Sequence, residues 1–213
     1  MTSSDLLGLV DAIVRSARFI IEIGAADGAD TVRMHEAAGI GPPDLWAFEP
    51  DPRNYALLCE RIQGRARIAV FRMAVSRRSG HASLWLSTGS PPGQDREYAF
   101  SSSLRPPKNA AALHPGLMFK PVTVLVTVIS LDDFIRGSRV DLIWCDAQGS
   151  EGDIIDGGPR TLADTAHLYV EYSDQEEYEG QPTRAELLAK LPGWIVLGDD
   201  GGNMLLKNEA VKP

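Results

Sequence analysis

The sequence predicts an α/β fold with a doubly wound, mostly parallel sheet. Short apolar runs alternate along the chain with stretches in which apolar residues recur at helical spacing. Several runs, such as residues 18–23 and 140–145, are apolar at nearly every position, which indicates strands that are buried on both faces. Strands that alternate with helices in this way form parallel sheets.

The first part of the chain follows this alternation closely. Apolar residues at helical spacing predict a helix over 5–17, capped by Ser3, Ser4 or Asp5. A breaker cluster at 39–43 ends a second helix, and Pro52 suits the first turn of a third. The predicted elements in order are a helix at 5–17, a strand at 18–23, a helix from about 30 to the breaker cluster, a strand at 45–49, a helix at 52–64, a strand at 68–74 and an edge strand at 81–86.

The alternation stops between residues 87 and 121, where prolines and glycines are frequent. A long connection of this kind is usually functional or disordered. Beyond it the predicted elements are a strand at 122–128, a short helix capped by Ser130, a strand at 140–145, a helix from 151 to about 157, a strand at 167–170, a helix at 183–191, and an antiparallel pair at 194–197 and 203–207.

Composition and charge exclude several classes of protein. The 213 residues are 44% hydrophobic and 23% charged, which predicts one globular domain over 1–213. The net charge of −8 argues against a nonspecific grip on nucleic acid or on an anionic membrane. No apolar run approaches the roughly 20 residues that span a bilayer. Cys59 and Cys145 form no zinc-type pair, and no signal peptide is recognisable, so we expect a cytoplasmic protein with reduced thiols.

A glycine or an acid marks the end of four predicted strands. These residues are Gly24, Glu49, Asp146 and Glu171. Ligands of doubly wound sheets bind at the carboxyl ends of the strands, so the four residues should converge on one edge of the sheet. Each of them alone is typical of a loop or a helix cap, but the set predicts a binding site.

The turn after the first strand favours a nucleoside-bearing cofactor. Only small residues and Asp27 lie between Gly24 and Gly28, so the backbone can approach a ligand closely. The dinucleotide fingerprint G-x-G-x-x-G is incomplete here, which favours S-adenosylmethionine over a nicotinamide dinucleotide. A plain glycine turn is the alternative. Glu22 argues against it, because an acid inside a buried strand is costly unless it is paired or solvated.

Glu49 is the predicted partner of the cofactor's ribose. A carboxylate can accept hydrogen bonds from both hydroxyls of a ribose, and Glu49 ends the second strand. Pro50 and Pro52 stiffen the loop that presents it. The alternative is an acid that only caps the following helix.

Five motifs, in this order, resemble those of the FkbM family of S-adenosylmethionine-dependent methyltransferases. They are residues 21–25, 48–52, 74–76, 130–133 and 141–151. The Phe-Glu-Pro element and the Asp-x-Gln-Gly-x-Glu element are specific, whereas the glycine turn alone is not. The resemblance extends from about residue 19 to 171. The chain differs from the family pattern at Glu22, where Asp is frequent, and at Ala25-Ala26, where Ala-Asn is frequent.

The resemblance implies a class I methyltransferase fold, with a Rossmann-like sheet of seven strands and an antiparallel last strand. It also implies that the glycine turn holds the methionine part of S-adenosylmethionine, that Glu49 holds the ribose, that Ala74 and Val75 border the adenine, and that Asp146 lies beside the transferable methyl. The full set of expected cofactor-binding residues is Glu22, Gly24, Ala25, Asp27, Gly28, Thr31, Glu49, Pro50, Ala74, Val75 and Asp146.

Three acids are candidates for catalysis. Asp146, Glu151 or Glu171 can take or steer a proton from a hydroxyl acceptor, although Glu151 is also typical of an acid that stabilises a first helical turn. The acidic edge permits a divalent metal, but no ligand spacing requires one, and none is predicted. Residues 98–105 combine aromatic, hydroxyl and cationic side chains, which suit a lid over 87–121, although a plain surface loop is the alternative. The resemblance, in which a Ser-Ser-Leu element is frequent at this place, favours the lid.

We therefore expect an S-adenosylmethionine-dependent O-methyltransferase that acts on a sugar or another small-molecule acceptor. Three alternatives stay open at this point: an N-methyltransferase for a peptide or amide, a nicotinamide-dependent oxidoreductase, and a module that binds a nucleoside cofactor without catalysis. Neither nucleic acid nor a membrane is an expected partner. The sequence specifies neither the acceptor nor the oligomeric state.

Overall fold

The computed structural model describes residues 1–39, 41–90, 92 and 97–211. Residues 40, 91, 93–96, 212 and 213 lie outside the described residues; they belong to the predicted breaker cluster, the predicted lid and the end of the predicted domain. The helices are α1 (Ser3–Val14), α2 (Ala29–Ala37), α3 (Pro52–Arg61), α4 (Ala110–Leu113), α5 (Leu131–Phe134), α6 (Glu151–Asp156), α7 (Pro159–Ala163) and α8 (Arg184–Ala189). None of the helices in these ranges has the length and apolar character needed to cross a bilayer.

The strands form two sheets. They are β1 (Phe19–Ile23), β2 (Asp44–Phe48), β3 (Ile68–Phe71), β4 (Ala74–Val75), β5 (Gly80–Gly89), β6 (Leu117–Ile129), β7 (Val140–Cys145), β8 (Thr165–Glu171), β9 (Trp194–Asp199) and β10 (Asn203–Asn208). The larger sheet has seven strands in the order β3-β2-β1-β7-β8-β10-β9, and the smaller has the order β4-β6-β5.

The seven-stranded sheet confirms the predicted doubly wound, mostly parallel architecture. Parallel pairing joins β3, β2, β1, β7 and β8, whereas the last strand, β10, is antiparallel to both its neighbours. The chain runs outward from β1 through β2 to β3 and then returns to β7 on the other side of β1. The carboxyl ends of β1 and β7 therefore flank the point where strand order reverses, which is the usual ligand position in such sheets.

Alternate side chains of the central strands enter two separate cores. On one face Ile20 of β1 and Leu142 of β7 pack in the core that contains Leu6 of α1. On the other face Ile21 and Ile143 pack in the core to which α5, α6, α7 and α8 contribute. All five side chains are fully buried. Burial of each contributes about 1.5–3 kcal/mol, so helices on both faces hold the strand ends in place.

Two of the helix caps test the sequence analysis. Ser130 caps α5 as predicted, since its hydroxyl accepts a hydrogen bond from the Asp133 N–H at 3.2 Å. The predicted cap of α1 is wrong, because the capping residue is Thr2. Its hydroxyl accepts from the Asp5 N–H at 3.1 Å, and the Asp5 carboxylate accepts from the Thr2 N–H at 3.1 Å. Asp5 is thus the reciprocal partner in a capping box.

The predicted strand at 68–74 is wrong in its last residues. β3 ends at Phe71, and the Met73 N–H donates to the Phe71 carbonyl at 2.9 Å in a tight turn. Ala74 and Val75 then join the smaller sheet, where they pair in parallel with β6. The apolar run continues through the turn, so its composition does not mark the change of sheet.

Both ends of the predicted irregular connection at 87–121 are also wrong, because they belong to strands. β5 and β6 form an antiparallel hairpin whose pairing reaches Gly89 and Leu117. The register shifts between Trp85 and Ser87, where residues 120–122 of β6 form a bulge that contains Pro121. A bulge tolerates the missing N–H of proline, so Pro121 does not end the strand. The connection between the two strands includes α4.

Candidate active site

The four predicted strand-end residues come together at one cavity. Gly24, Glu49 and Asp146 directly follow β1, β2 and β7, and Glu171 is the last residue of β8. These strands are neighbours in the order β2-β1-β7-β8. All four residues line a cavity of about 230 Å³. The sheet therefore brings them together as the sequence predicts.

The turn after β1 requires glycine at its first position. Gly24 has a φ of +85°, and a Cβ atom there would lie 1.7 Å from the carbonyl oxygen of Asp146. The N–H groups of Gly24 and Ala25 both donate to the Phe48 carbonyl, at 2.9 and 3.0 Å. The turn is thus fixed between the ends of β2 and β7, and its backbone forms part of the cavity wall.

Glu22 and Thr31 lie behind this turn. Glu22 is fully buried, and one oxygen of its carboxyl accepts a hydrogen bond from the Thr31 hydroxyl at 2.5 Å. Burial raises the pKa of Glu22 to about 8. Neither residue is among the described residues that line the cavity. Their hydrogen bond joins β1 to α2 and supports the turn from behind.

The second half of the turn is also set by contacts away from the cavity. Gly28 precedes α2 with a φ of +83°, and a Cβ atom there would lie 2.7 Å from a methyl group of Leu58. Asp27 forms an ion pair with Arg61 and accepts from the Ala29 N–H at 3.2 Å. Like Ala25, these two predicted residues are absent from the described cavity wall. Their contacts fix where α2 begins.

Glu49 holds two backbone N–H groups at the cavity wall. One carboxylate oxygen accepts from the Ala26 N–H at 2.8 Å, and the other accepts from the Asp51 N–H at 2.8 Å. The side chain is nearly buried, and burial raises its pKa to about 8. A carboxylate offers about four lone-pair sites, so hydroxyl donors from a ligand can still be accepted. The alternative role as a cap of α3 belongs to Asp51, which accepts from the Arg53 N–H.

Asp146 and Glu171 form a carboxyl pair held by Gln148. The Gln148 amide nitrogen donates to one oxygen of each acid at 2.9 Å, and the two carboxyls are themselves hydrogen-bonded. Burial raises the pKa of both, and the adjacent Asp146 carboxylate raises that of Glu171 further. Repulsion between the two carboxylates favours keeping one proton on the pair, and the larger rise in pKa at Glu171 favours that acid as its holder. Asp146 is then the carboxylate that remains able to accept a proton.

Glu151 has a different surrounding from the other two acids. Its carboxylate accepts hydrogen bonds from the Ala147 N–H at 2.8 Å and the Gly149 N–H at 3.3 Å. Burial raises its pKa to about 7. Glu151 is not among the described residues that line the cavity. Its contacts shape the loop that carries Gln148, whose φ of +51° is unusual for a residue with a side chain.

The remaining cavity wall combines predicted and unpredicted residues. Pro50, Ala74 and Val75 line it as the resemblance implies, and so do several residues of the segment 98–104. Several other lining residues were not predicted from the sequence, among them Asn54, Leu84, Gln148 and Ser150. The Asp-x-Gln-Gly motif contained Gln148, so that residue had a signal. Asn54 had none, since it lies inside an ordinary helical pattern.

The cavity suits a nucleoside cofactor. The Asn54 Oδ1 and Ser150 Oγ atoms are buried and have no hydrogen-bond partner in the described ranges, although both residues line the cavity. Buried polar atoms are normally satisfied, so they fit a ligand that carries hydroxyl and amine groups. In the part of the chain that the structure describes, no group of three or more His, Cys, Asp or Glu side chains is arranged to hold a metal ion.

Comparison with known proteins identifies the family. The model of the methyltransferase FkbM domain matches residues 22–200. The chain belongs to the FkbM methyltransferase family. It is therefore an enzyme that uses S-adenosylmethionine, and the nicotinamide-dependent and non-catalytic alternatives are set aside.

Relatives of this FkbM methyltransferase agree in sequence and in fold. The chain is 36% identical to the 2-O-methyltransferase NoeI of Sinorhizobium fredii (strain NBRC 101917 / NGR234), over 94% of this chain and 83% of the relative. A methyltransferase FkbM from Methylobacillus flagellatus KT superposes with a TM-score of 0.56 at 16% identity, over 91% of this chain but 44% of that protein. The cofactor-bound Rv0187 from MTB gives a TM-score of 0.54 at 14% identity, over 100% and 82% of the two chains. The sheet is that of class I, Rossmann-like methyltransferases, as expected.

Proposed function

We propose that this methyltransferase transfers a methyl group to a hydroxyl oxygen of a sugar or another small acceptor. The observation that carries the proposal is the Asp146 carboxylate, which lines the cavity and is held by Gln148 beside Glu171. A half-buried carboxylate in this position can align a hydroxyl group and accept its proton. The 2-O-methyltransferase NoeI, as a relative over nearly the whole chain, supports transfer to oxygen. A numbered oxygen position is also how hydroxyl groups of a sugar ring are named.

Different residues of the cavity wall can bind the different parts of the cofactor. Bound S-adenosylmethionine supplies an electrophilic methyl group. Glu49 accepts hydrogen bonds from the ribose hydroxyls, for which its carboxylate has free lone pairs. The backbone of Gly24 and Ala26 holds the methionine end, while Pro50, Ala74 and Val75 border the nucleoside. Direct contacts of Glu22, Ala25, Asp27, Gly28 and Thr31 with the cofactor stay a prediction, since their contacts support an indirect role.

Asp146 is the proposed base among the three candidate acids. Its carboxylate would accept the hydroxyl proton while the acceptor oxygen takes the methyl group from the cofactor's sulfur, which leaves with the bonding electron pair as S-adenosylhomocysteine. Glu171 keeps its own proton, donates a hydrogen bond to Asp146 and so positions that acid. Glu151 acts indirectly on Asp146, because its carboxylate orders the loop that carries Gln148.

The segment 98–104 is the proposed lid. Tyr98, Ala99 and Phe100 line the cavity, and the Ala99 carbonyl accepts a hydrogen bond from the Asn54 side chain at 2.9 Å. Ser102 also binds the Asp51 carboxylate at 2.8 Å. These contacts attach the segment to α3 and exclude water from one side of the cavity. A dry site strengthens the electrostatic interactions that align a reacting hydroxyl.

The bond that forms is tested directly with labelled cofactor. The enzyme is incubated with S-adenosylmethionine that carries a ¹³C-methyl group, first with neutral glycosides and polyols and then with peptides and amides. The ¹³C chemical shift of the product separates a methyl ether from an N-methyl group. A methyl ether supports the proposal, whereas an N-methyl product would replace it by the N-methyltransferase alternative.

We also propose that the enzyme works in the cytoplasm on a small-molecule or saccharide acceptor, without nucleic acid or membrane partners. Cys59 and Cys145 are both free thiols, as is usual in a reducing compartment. The net charge of −8 disfavours polyanionic partners. Fractionation of cells that express the tagged protein tests the location, and recovery with the membrane fraction would contradict it.

A further inference from the structure

A second cavity of about 380 Å³ adjoins the first. Tyr98, Gln148 and Glu171 line both cavities, so they form the boundary between the two spaces. Because Glu171 is hydrogen-bonded to Asp146, the proposed base lies at this boundary. Those groups of a molecule in the second cavity that lie nearest this boundary would thus be beside the carboxyls of Asp146 and Glu171.

The walls of the second cavity combine aromatic rings with uncharged polar groups. Tyr98, Tyr172 and Tyr178 supply rings, and Ser173 and Gln181 supply a hydroxyl and an amide. The Tyr178 hydroxyl is hydrogen-bonded to the Gln148 side chain at 3.0 Å, so this wall is connected to the carboxyl pair. Apolar surfaces with a few convergent hydrogen-bonding groups are typical of sites for small ligands. Rings and hydroxyl partners together suit a saccharide.

The charges at this cavity are unfavourable to an anionic ligand. No lysine or arginine is among its described lining residues. His114 lies at the wall, but its Nε2 atom is 2.8 Å from the Glu177 carboxylate, which neutralises any positive charge on the ring. The nearby cations are also paired, since Lys108 binds Glu176 and Arg105 binds Asp153. Among the described residues, a phosphate or carboxylate group would therefore meet carboxylates without a free cation to bind it.

We propose that the second cavity is the acceptor site, that it binds an uncharged saccharide in preference to its phosphorylated counterpart, and that Glu177, paired with His114, determines this specificity. This inference rests on the proposed function and adds the class of acceptor to it. Glu177 is well placed for the role, because the N–H groups of residues 108–110 bind its carbonyl at 2.8–3.2 Å. The backbone at Glu177 is thereby fixed where the connection from β5 to β6 meets the segment after β8.

The experiment measures acceptor kinetics and cofactor binding separately. The probes are methyl glycosides of common hexoses and the matching 6-phosphates, with S-adenosylhomocysteine release as the assay. We expect transfer to at least one glycoside, and a kcat/KM for its phosphate that is at least about tenfold lower, because like charges in an enclosed site repel. Glu177→Gln should raise the KM for the glycoside by about fivefold or more while kcat changes by less than about threefold.

Matched controls separate specificity from general damage. Glu176→Gln changes the neighbouring acid, which is outside the described cavity lining, and should leave the glycoside KM unchanged. S-adenosylhomocysteine should bind both variants as tightly as the wild type, since neither residue lines the first cavity. Equal effects of the two substitutions, or weaker cofactor binding in Glu177→Gln, would reduce Glu177 to a structural residue and overturn the inference.

The failures of the two proposals are distinguishable. Preferred methylation of a hydroxyl on the phosphorylated acceptor would overturn the inference and leave O-methylation intact. Absence of transfer to every glycoside in the panel would overturn the saccharide assignment of the second cavity. Transfer of the labelled methyl to nitrogen would overturn the proposed function itself. His114→Gln provides a second variant, which should also raise the KM for the glycoside without changing cofactor affinity.

Discussion

Replacing Glu49 with glutamine should weaken the binding of S-adenosylhomocysteine by about 1.5–3 kcal/mol. This range is that of a hydrogen bond to a charged group, and it corresponds to a rise in Kd of about 10-fold to 150-fold. The structure supports the upper part of the range. Both carboxylate oxygens already accept a backbone N–H, from Ala26 and Asp51, and a glutamine amide can accept only one of them. The other N–H would face an NH₂ group, which loosens the turn as well as the ribose contact.

The same contact predicts a pH dependence of cofactor binding. Burial raises the pKa of Glu49 to about 8 in the free enzyme. Ribose hydroxyls that donate to the carboxylate favour its charged form, so binding lowers this pKa and releases a proton below about pH 8. Affinity should therefore increase as the pH rises toward about 8 and then level off. The glutamine variant has no such proton to release, and this part of its pH profile should be flat.

Calorimetric titration with S-adenosylhomocysteine measures both effects, and buffers with different ionisation enthalpies report the released proton. Asp132→Asn is the matched control, because Asp132 also accepts two backbone N–H groups but lies away from the cavity. Its Kd should equal that of the wild type. An unchanged Kd for a folded Glu49→Gln variant would refute the ribose assignment, whatever its pH profile.

Two further predictions concern the lid and the support of the glycine turn. Trypsin should cut the free enzyme after Lys108 faster than the enzyme saturated with S-adenosylhomocysteine and acceptor, because the neighbouring segment 98–104 lines the cavity; equal rates would make it a static wall. Burial raises the pKa of Glu22 to about 8. The stability that the protonated side chain contributes is therefore fully present when the pH is below the ordinary pKa of a glutamic acid, and it is lost as the pH rises toward about 8. Glu22→Gln cannot ionise, and its Tm should fall less than that of the wild type between about pH 5 and pH 8; an identical fall in both would contradict the reasoning.

The edge of the sheet that holds the site was predictable because strand ends are marked in the sequence. Gly24, Glu49, Asp146 and Glu171 each follow or end an apolar run, and the parallel topology makes such ends meet. Glu22 and Thr31, behind the turn, were predicted to contact the cofactor because a sequence motif does not show which way a side chain points. Glu22 belongs to the same strand as Ile23, but its side chain binds Thr31 and is absent from the described cavity wall.

The connection between the smaller sheet's strands was less predictable for a physical reason. Proline usually ends a strand, but Pro121 lies in a bulge of β6, and the strand continues through it. The second cavity depends on contacts across the chain, such as those from residues 108–110 to Glu177. Local propensity contains no information about contacts between residues so far apart in the chain. The sequence alone therefore indicated a lid but not the second cavity.

The proposed mechanism requires that Asp146 contributes to the chemical step and not to the binding of the cofactor. Asp146→Asn keeps the shape of the side chain and removes its ability to accept a proton. With an acceptor identified by the labelled-methyl experiment, we expect S-adenosylhomocysteine affinity to change little and turnover to fall by about 100-fold or more, the lower end for loss of a general base. Turnover at the wild-type rate would contradict the claim and favour alignment by Glu151 or Glu171. A parallel loss of affinity and activity would contradict it too, because Asp146 would then be a cofactor ligand.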